Sequence, residues 1–155
     1  MTISGAVLSS KAPVGYVDVR VFSHATEDLE KVMTAIRNVL PSGLVDTVVF
    51  GKTSLTGHHG NSITLVEARV KDRKVVQAFF AELCLKLSIM DKQRLSDEIE
   101  KHLERGNLYL RLDKQSAFLN EMKLGSADSI HLQIHFKKHG ADEVLAVCRE
   151  SGLLP

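Results

Sequence analysis

Residues 129–137 read SIHLQIHFK, and the alternation within them decides the fold class. Ile130, Leu132, Ile134 and Phe136 fall on one side of an extended chain, and His131, Gln133, His135 and Lys137 on the other, because successive strand side chains point to opposite faces. A strand that is apolar on one side only is covered on that side and open on the other. The pattern recurs in NLYLRLD at 107–113, where Leu108, Leu110 and Leu112 alternate with Tyr109, Arg111 and Asp113. It recurs again in YVDVRVFSH at 16–24, with Val17, Val19 and Val21 against Asp18 and Arg20.

Working outward, VDTVVFGKT at 45–53 and SITLVEARV at 62–70 read as two further strands joined by the loop GHHGN at 57–61. In the second of these, Ile63 and Leu65 occupy one phase and Val66, Ala68 and Val70 the other, which predicts a bulge or twist near Leu65. Thr26 is placed to cap a helix whose stripe is Leu29, Val32, Met33, Ile36 and Leu40, ended by Pro41, Ser42 and Gly43. DRKVVQAFFAELCLKLSI at 72–89 sets Val75, Val76, Phe79, Phe80, Leu83 and Leu87 at helical spacing. KQRLSDEIEKHLER at 92–105 continues with Leu95, Ile99 and Leu103 inward and Gly106 as its stop. One unbroken helix through both would run about 50 Å, so a break between Ser88 and Asp91 is expected. KQSAFLNEMKLG at 114–125 predicts only a turn or short helix, and ADEVLAVCRES at 141–151 closes the chain as a helix carrying Val144, Leu145 and Cys148.

The expected order is β-α-β-β-α-α-β-β-α: an α+β domain of two layers, with a mostly antiparallel sheet and helices on one face. At 155 residues and 44% hydrophobic content, the chain has material for one core. Residues 1–14 are expected to be a flexible leader and 15–155 the single domain; MTISGAVLSSKAP lacks the charged start and apolar stretch of a signal peptide. No apolar run approaches the roughly 20 residues of a membrane span, so a soluble, cytoplasmic protein is expected. Cys84 and Cys148 read as buried thiols rather than as a disulfide or a nucleophile.

Net charge is +1, so any nucleic acid must be held by local patches. By alternation Arg20, Tyr109, Arg111, His131, Gln133, His135 and Lys137 share the open face. Arginine and lysine there suit phosphates, Tyr109 suits base stacking and glutamine suits base edges. The same face also suits an ordinary solvated surface, or a homodimer or partner-docking interface. RVKDRK at 69–74 is a basic strand-to-helix junction, where a helix N-terminus adds positive potential. Asp113 is placed to cap the turn that follows it, leaving Lys114 and Gln115 exposed at the tip.

His58 and His59 do not form a metal site, since adjacent residues chelate one ion poorly and four ligands are wanted. Nor is GHHG an RNA clamp of the KH type, which joins two helices where this loop joins two strands. It reads as a hairpin turn whose glycines, and Asn61, supply positive φ, with two exposed imidazoles able to touch RNA. No nucleotide loop, nucleophile elbow or metalloprotease motif is present, which favours a binding module over an enzyme, with no cofactor and no metal.

GHHGNSITLVEARVKDRK (57–74), LYLRLDKQSAFL (108–119) and YVDVRVFSHATEDLEKV (16–32) together resemble an archaeal RNA-binding family of predicted exosome subunits. The likeness runs from about Val17 to about Phe136. It implies a sheet-and-helix fold like that of ribosomal large-subunit protein five. It also implies a non-catalytic, RNA-associated cytoplasmic protein with exosome subunits as partners. The positions it marks for RNA are His58, His59 and Asn61 in the hairpin, Arg69, Arg73 and Lys74 beyond it, and Arg111, Lys114 and Gln115 in the later motif.

Overall fold

The computed structural model describes residues 14–137 and 140–155; the expected leader falls outside these except for Val14, which opens the first strand. Six strands form one sheet in the order β2-β3-β1-β6-β5-β4. They are β1 (Val14–His24), β2 (Gly51–Thr56), β3 (Ser62–Val70), β4 (Leu103–Glu104), β5 (Asn107–Asp113) and β6 (Ser129–Phe136). Every pairing is antiparallel. The helices are α1 (Leu29–Val39), α2 (Arg73–Lys86), α3 (Ile89–Asp97), α4 (Lys114–Phe118) and α5 (Ala141–Ser151).

The predicted alternation is the one observed. Val17, Val19 and Val21 of β1, Leu108, Leu110 and Leu112 of β5, and Ile130, Leu132, Ile134 and Phe136 of β6 are all buried. Against them pack Val32, Met33, Ile36 and Val39 of α1 and Val75, Val76, Phe79, Phe80 and Leu83 of α2. Phe80 meets Phe136 edge-on with ring centres 5.8 Å apart, a favoured aromatic geometry. Cys84 and Cys148 are free and buried, as expected; burial pushes both thiols up, Cys148 to about 12.

Four local expectations are corrected. Asp28, not Thr26, caps α1 by accepting from Glu30 N at 2.9 Å. Val45–Thr47 forms a 3-10 turn, held by Thr47 Oγ1 donating to Leu44 O at 2.7 Å; the strand begins only at Gly51, and Val45, Val48 and Phe50 pack on the core as loop residues. β3 has no bulge, since it pairs in one register with both neighbours. Its change of phase arises because Ile63 and Leu65 lie on the uncovered face beside β1 and β2. The irregularity sits instead in β1, where the register shifts between Val14 and Tyr16 and brings Val14 opposite the buried Phe136.

The fourth correction decides the rim of the uncovered face. The chain breaks at Ser88, whose Oγ accepts from Asp91 N at 3.1 Å, within the expected window. The following helix, however, ends at Asp97. A 3-10 turn (Ile99–Lys101) follows, and β4 (Leu103–Glu104) turns into β5 through Arg105, which adopts φ 58°. The predicted helical end at 98–105 thus becomes a hairpin that pairs Leu103 with Leu108 along the β5 edge.

Candidate nucleic-acid interface

The uncovered face of β3, β1, β6 and β5 is the floor of a trough of about 890 Å³. Cross-strand pairing sets its rows. Arg69, Asp18, Gln133 and Tyr109 form one row from β3 to β5, and Glu67, Arg20, His131 and Arg111 form the next. Side chains in such rows are neighbours because paired residues point the same way. Arg94 of α3, with Glu98, Lys101 and His102 after it, walls the β5 side, while Val49 stands beyond β3.

Part of the floor is internally locked. Asp18 accepts two hydrogen bonds from Arg69, at 2.8 and 2.9 Å, and this pairing holds the guanidinium firmly charged. Arg69 lies 4.1 Å over the Tyr16 ring, which stacks at 4.6 Å on His135. His135 Nδ1 is 2.9 Å from Asn107 Oδ1, which also accepts from Gln133 Nε2 at 3.2 Å. These residues hold one another.

The remaining cations of the lining are not held by carboxylates. Arg20, Arg94 and Lys101 have no ion pair among the described residues, and Arg111 donates only to the Ser126 carbonyl, at 3.1 Å. Arg20, Arg69, Arg94, Lys101 and Arg111 face three carboxylates, Asp18, Glu67 and Glu98, so the lining is net positive in a chain of charge +1. His131 registers this field. Burial, then the charges of Arg111 and Arg20, push its imidazole below its ordinary range, against a weaker opposite pull from Asp128. Its neutral form is favoured.

Of the residues expected to contact RNA, the trough gathers Arg69, Tyr109 and Arg111. His58, His59 and Asn61 are exposed on the β2–β3 turn, as expected of a hairpin, closed by Gly57 N donating to Asn61 O at 2.7 Å. Only Gly60 there has positive φ, 78°; Gly57 and Asn61 do not. Arg73 and Lys74 are exposed at the start of α2, beyond the other end of β3. The nine residues of β3 separate the two groups by roughly 30 Å at about 3.3 Å per residue. The N-terminus of α2 is not an open phosphate cradle, because Asp72 accepts from Lys74 N and Val75 N and adds a negative charge.

Gln115 is exposed on α4, but Lys114 is not: its side chain is 11% exposed. Its ammonium donates to Phe22 O at 2.8 Å, to both oxygens of Glu27 at 3.1 and 3.2 Å, and to both of Asp128 at 2.9 Å. With these acceptors Lys114 is a clamp at the end of the sheet. His24, Glu27 and Asp128 form the group of possible metal ligands among the described residues, and Lys114 supplies the positive charge among them. Asp113 caps α4 as expected, accepting from Ser116 N at 2.9 Å and Ser116 Oγ at 2.7 Å.

Arg20, His131 and Gln133 were legible as open-face residues, although no motif singled them out for binding. Arg94 and Lys101 carried no such signal. They reach the trough because α3 ends early and the chain folds back along β5.

An RNA-binding family model matches residues 16–136. The RNA-binding protein PAB1135 of Pyrococcus abyssi is 34% identical over 133 residues, 84% of this chain and 86% of that one. Among solved structures, Mth689, a DUF54 protein from Methanothermobacter thermautotrophicus, is 30% identical with a TM-score of 0.71, covering 92% of this chain and 98% of its own. SSO0741 from Sulfolobus solfataricus, also of DUF54, is 27% identical with a TM-score of 0.70, covering 88% and 96%.

Proposed function

This chain belongs to the RNA-binding family that its residues 16–136 match, and from that membership we propose that it binds RNA in the trough on the uncovered sheet face. The observation that carries the proposal is the positive lining without ion pairs, in which Arg20, Arg94, Lys101 and Arg111 converge on one concavity while the molecule as a whole is near neutral. Phosphates supply most of the affinity of such complexes, and charge placed elsewhere on the surface contributes little to a strand held here. The role is that of a non-catalytic accessory protein. The floor holds no nucleophile with an oriented base beside it. Arg69 and the Tyr16–His135 stack set the shape of the site, and Arg20 and Arg111 hold backbone. His58, His59, Arg73 and Lys74 are outlying contacts for a longer strand.

The finer parts of the reading, a cytoplasmic protein that works with exosome subunits on a fold like ribosomal protein five, are supported by the family resemblance of the quoted motifs. Co-purification with tagged exosome subunits after nuclease treatment tests that link.

The central test is fluorescence anisotropy of a labelled RNA of about 20 nucleotides over a salt series. The variant Arg20→Ala/Arg111→Ala should weaken binding at least tenfold and flatten the log–log salt slope by about 0.7 units, the value for one phosphate neutralised on a single strand. His58→Ala/His59→Ala should have a smaller effect. Wild-type affinity in the double arginine variant would move the site off this face. An association that is insensitive to salt and requires a second protein chain would favour a docking role instead.

A further inference from the structure

Resting on that reading, we infer that the trough takes an unpaired strand, with one base stacked on Tyr109 and its phosphate seated over His131 between Arg20 and Arg111. The two tyrosines of the sheet face are in opposite states. Tyr16 is sandwiched between Arg69 and His135, so neither side of its ring is available. Tyr109 is 38% exposed and has no ring or cation contact among the described residues. A free aromatic surface on the floor of a positive groove is the platform on which unpaired bases stack. A base inside a helix stack cannot offer that surface, because its neighbours cover it.

The phosphate seat follows from register. His131 pairs across strands with Arg20 on one side and Arg111 on the other, so the three side chains stand in a row at strand spacing, about 4.8 Å apart. Two guanidiniums with an imidazole between them form a donor set for one phosphate group. Tyr109 and Arg111 are two residues apart on the same face of β5, about 6.7 Å along the strand, within the reach of a single nucleotide.

Size points the same way. The floor spans four strands, about 15 Å between the outer two, and is walled by α3 on one side. A duplex is broader than this floor, is read by shape and 2′-hydroxyls across its minor groove, and would rest on the walls without reaching Tyr109.

The groups facing His131 are Arg20 from β1, Arg111 from β5 and Asp128 from the preceding turn. A phosphate placed above it adds negative charge where two positive charges now dominate. Binding is therefore coupled to proton uptake, and affinity rises as pH falls from 8 toward 6.

The test compares a labelled 12-nucleotide single strand with a hairpin duplex of matched composition at one ionic strength, together with the NMR titration of His131. The single strand should bind at least tenfold tighter than the duplex. Tyr109→Ala should weaken it roughly five- to a hundredfold, and Tyr109→Phe should retain most of the affinity. The His131 midpoint should rise when the single strand is added to wild type, and should not rise with Arg20→Ala/Arg111→Ala. Equal or tighter binding of the duplex, or an unaffected Tyr109→Ala, would overturn this inference and leave the RNA reading standing. Binding to neither probe would overturn both.

Discussion

Lys114 shows how a single side chain changes meaning between sequence and structure. The run LDKQ reads as an exposed tip because its polar residues follow a strand, and for Gln115 that is correct. Lys114 turns inward because Glu27 and Asp128, 87 and 14 residues away in sequence, converge on its ammonium. No local pattern encodes such a meeting. Replacing it with methionine leaves two carboxylates facing each other, and we expect Lys114→Met to cost about 1–3 kcal/mol in urea unfolding, discounted toward the lower end because Asp128 is half exposed. Acid should act through the same clamp. Burial raises the Asp128 carboxyl, but hydrogen bonds and charge from Lys114 and His24 outweigh it and hold it below its ordinary range. Asp113 is held low by the side-chain and then the backbone hydrogen bond of Ser116. A depressed carboxylate contributes stability that is complete above its unfolded value and lost as pH falls through its folded one. The melting temperature should therefore be flat from pH 7 to about 5 and fall below about pH 4, and the fall should be shallower in Lys114→Met.

At the scale of elements, what was legible was what has a period. β1, β5 and β6 alternate strictly because each has a covered and an uncovered side, and those strands were found with their faces correctly assigned. β2 was misplaced because the apolar run VVF points to a strand, while Val48 and Phe50 pack from a loop, Val49 is exposed, and the true strand, GKTSLT, is exposed along its whole length. The end of α3 was misread for a related reason. Ile99 and Leu103 fit a helical stripe, but they pack on the core from a 3-10 turn and a strand. That hairpin depends on Arg105 at φ 58°, a conformation that costs a residue with a Cβ about 1 kcal/mol. Arg105→Gly should relieve part of this and raise the urea midpoint by the equivalent of about 0.5 kcal/mol. Equal or lower stability would show that the Arg105 side chain is held by something other than the turn.

For the molecule as a whole, the sequence disclosed a sheet bare on one side, and hence the surface on which a partner could lie. It disclosed less of where on that surface. The quoted motifs point to the hairpin and the α2 junction, at opposite ends of β3, and to the α4 turn at the end of β5, whereas the concavity lies on the face between these and draws Arg94 and Lys101 from an element whose end was misread. The strand order carries a further consequence. β1, the first described strand, lies at the centre of the sheet with β3 on one side and β6, the last strand, on the other. During translation β1, β2 and β3 emerge early and can pair, but one edge of β1 must wait for β6, more than a hundred residues later. Until then a nascent chain carries Val17, Val19 and Val21 beside an open edge, a template for pairing with the wrong chain. The nascent protein is thus exposed to aggregation until β6 has emerged and paired, and a factor that shields the β1 edge would matter more to its yield than one acting on the finished fold.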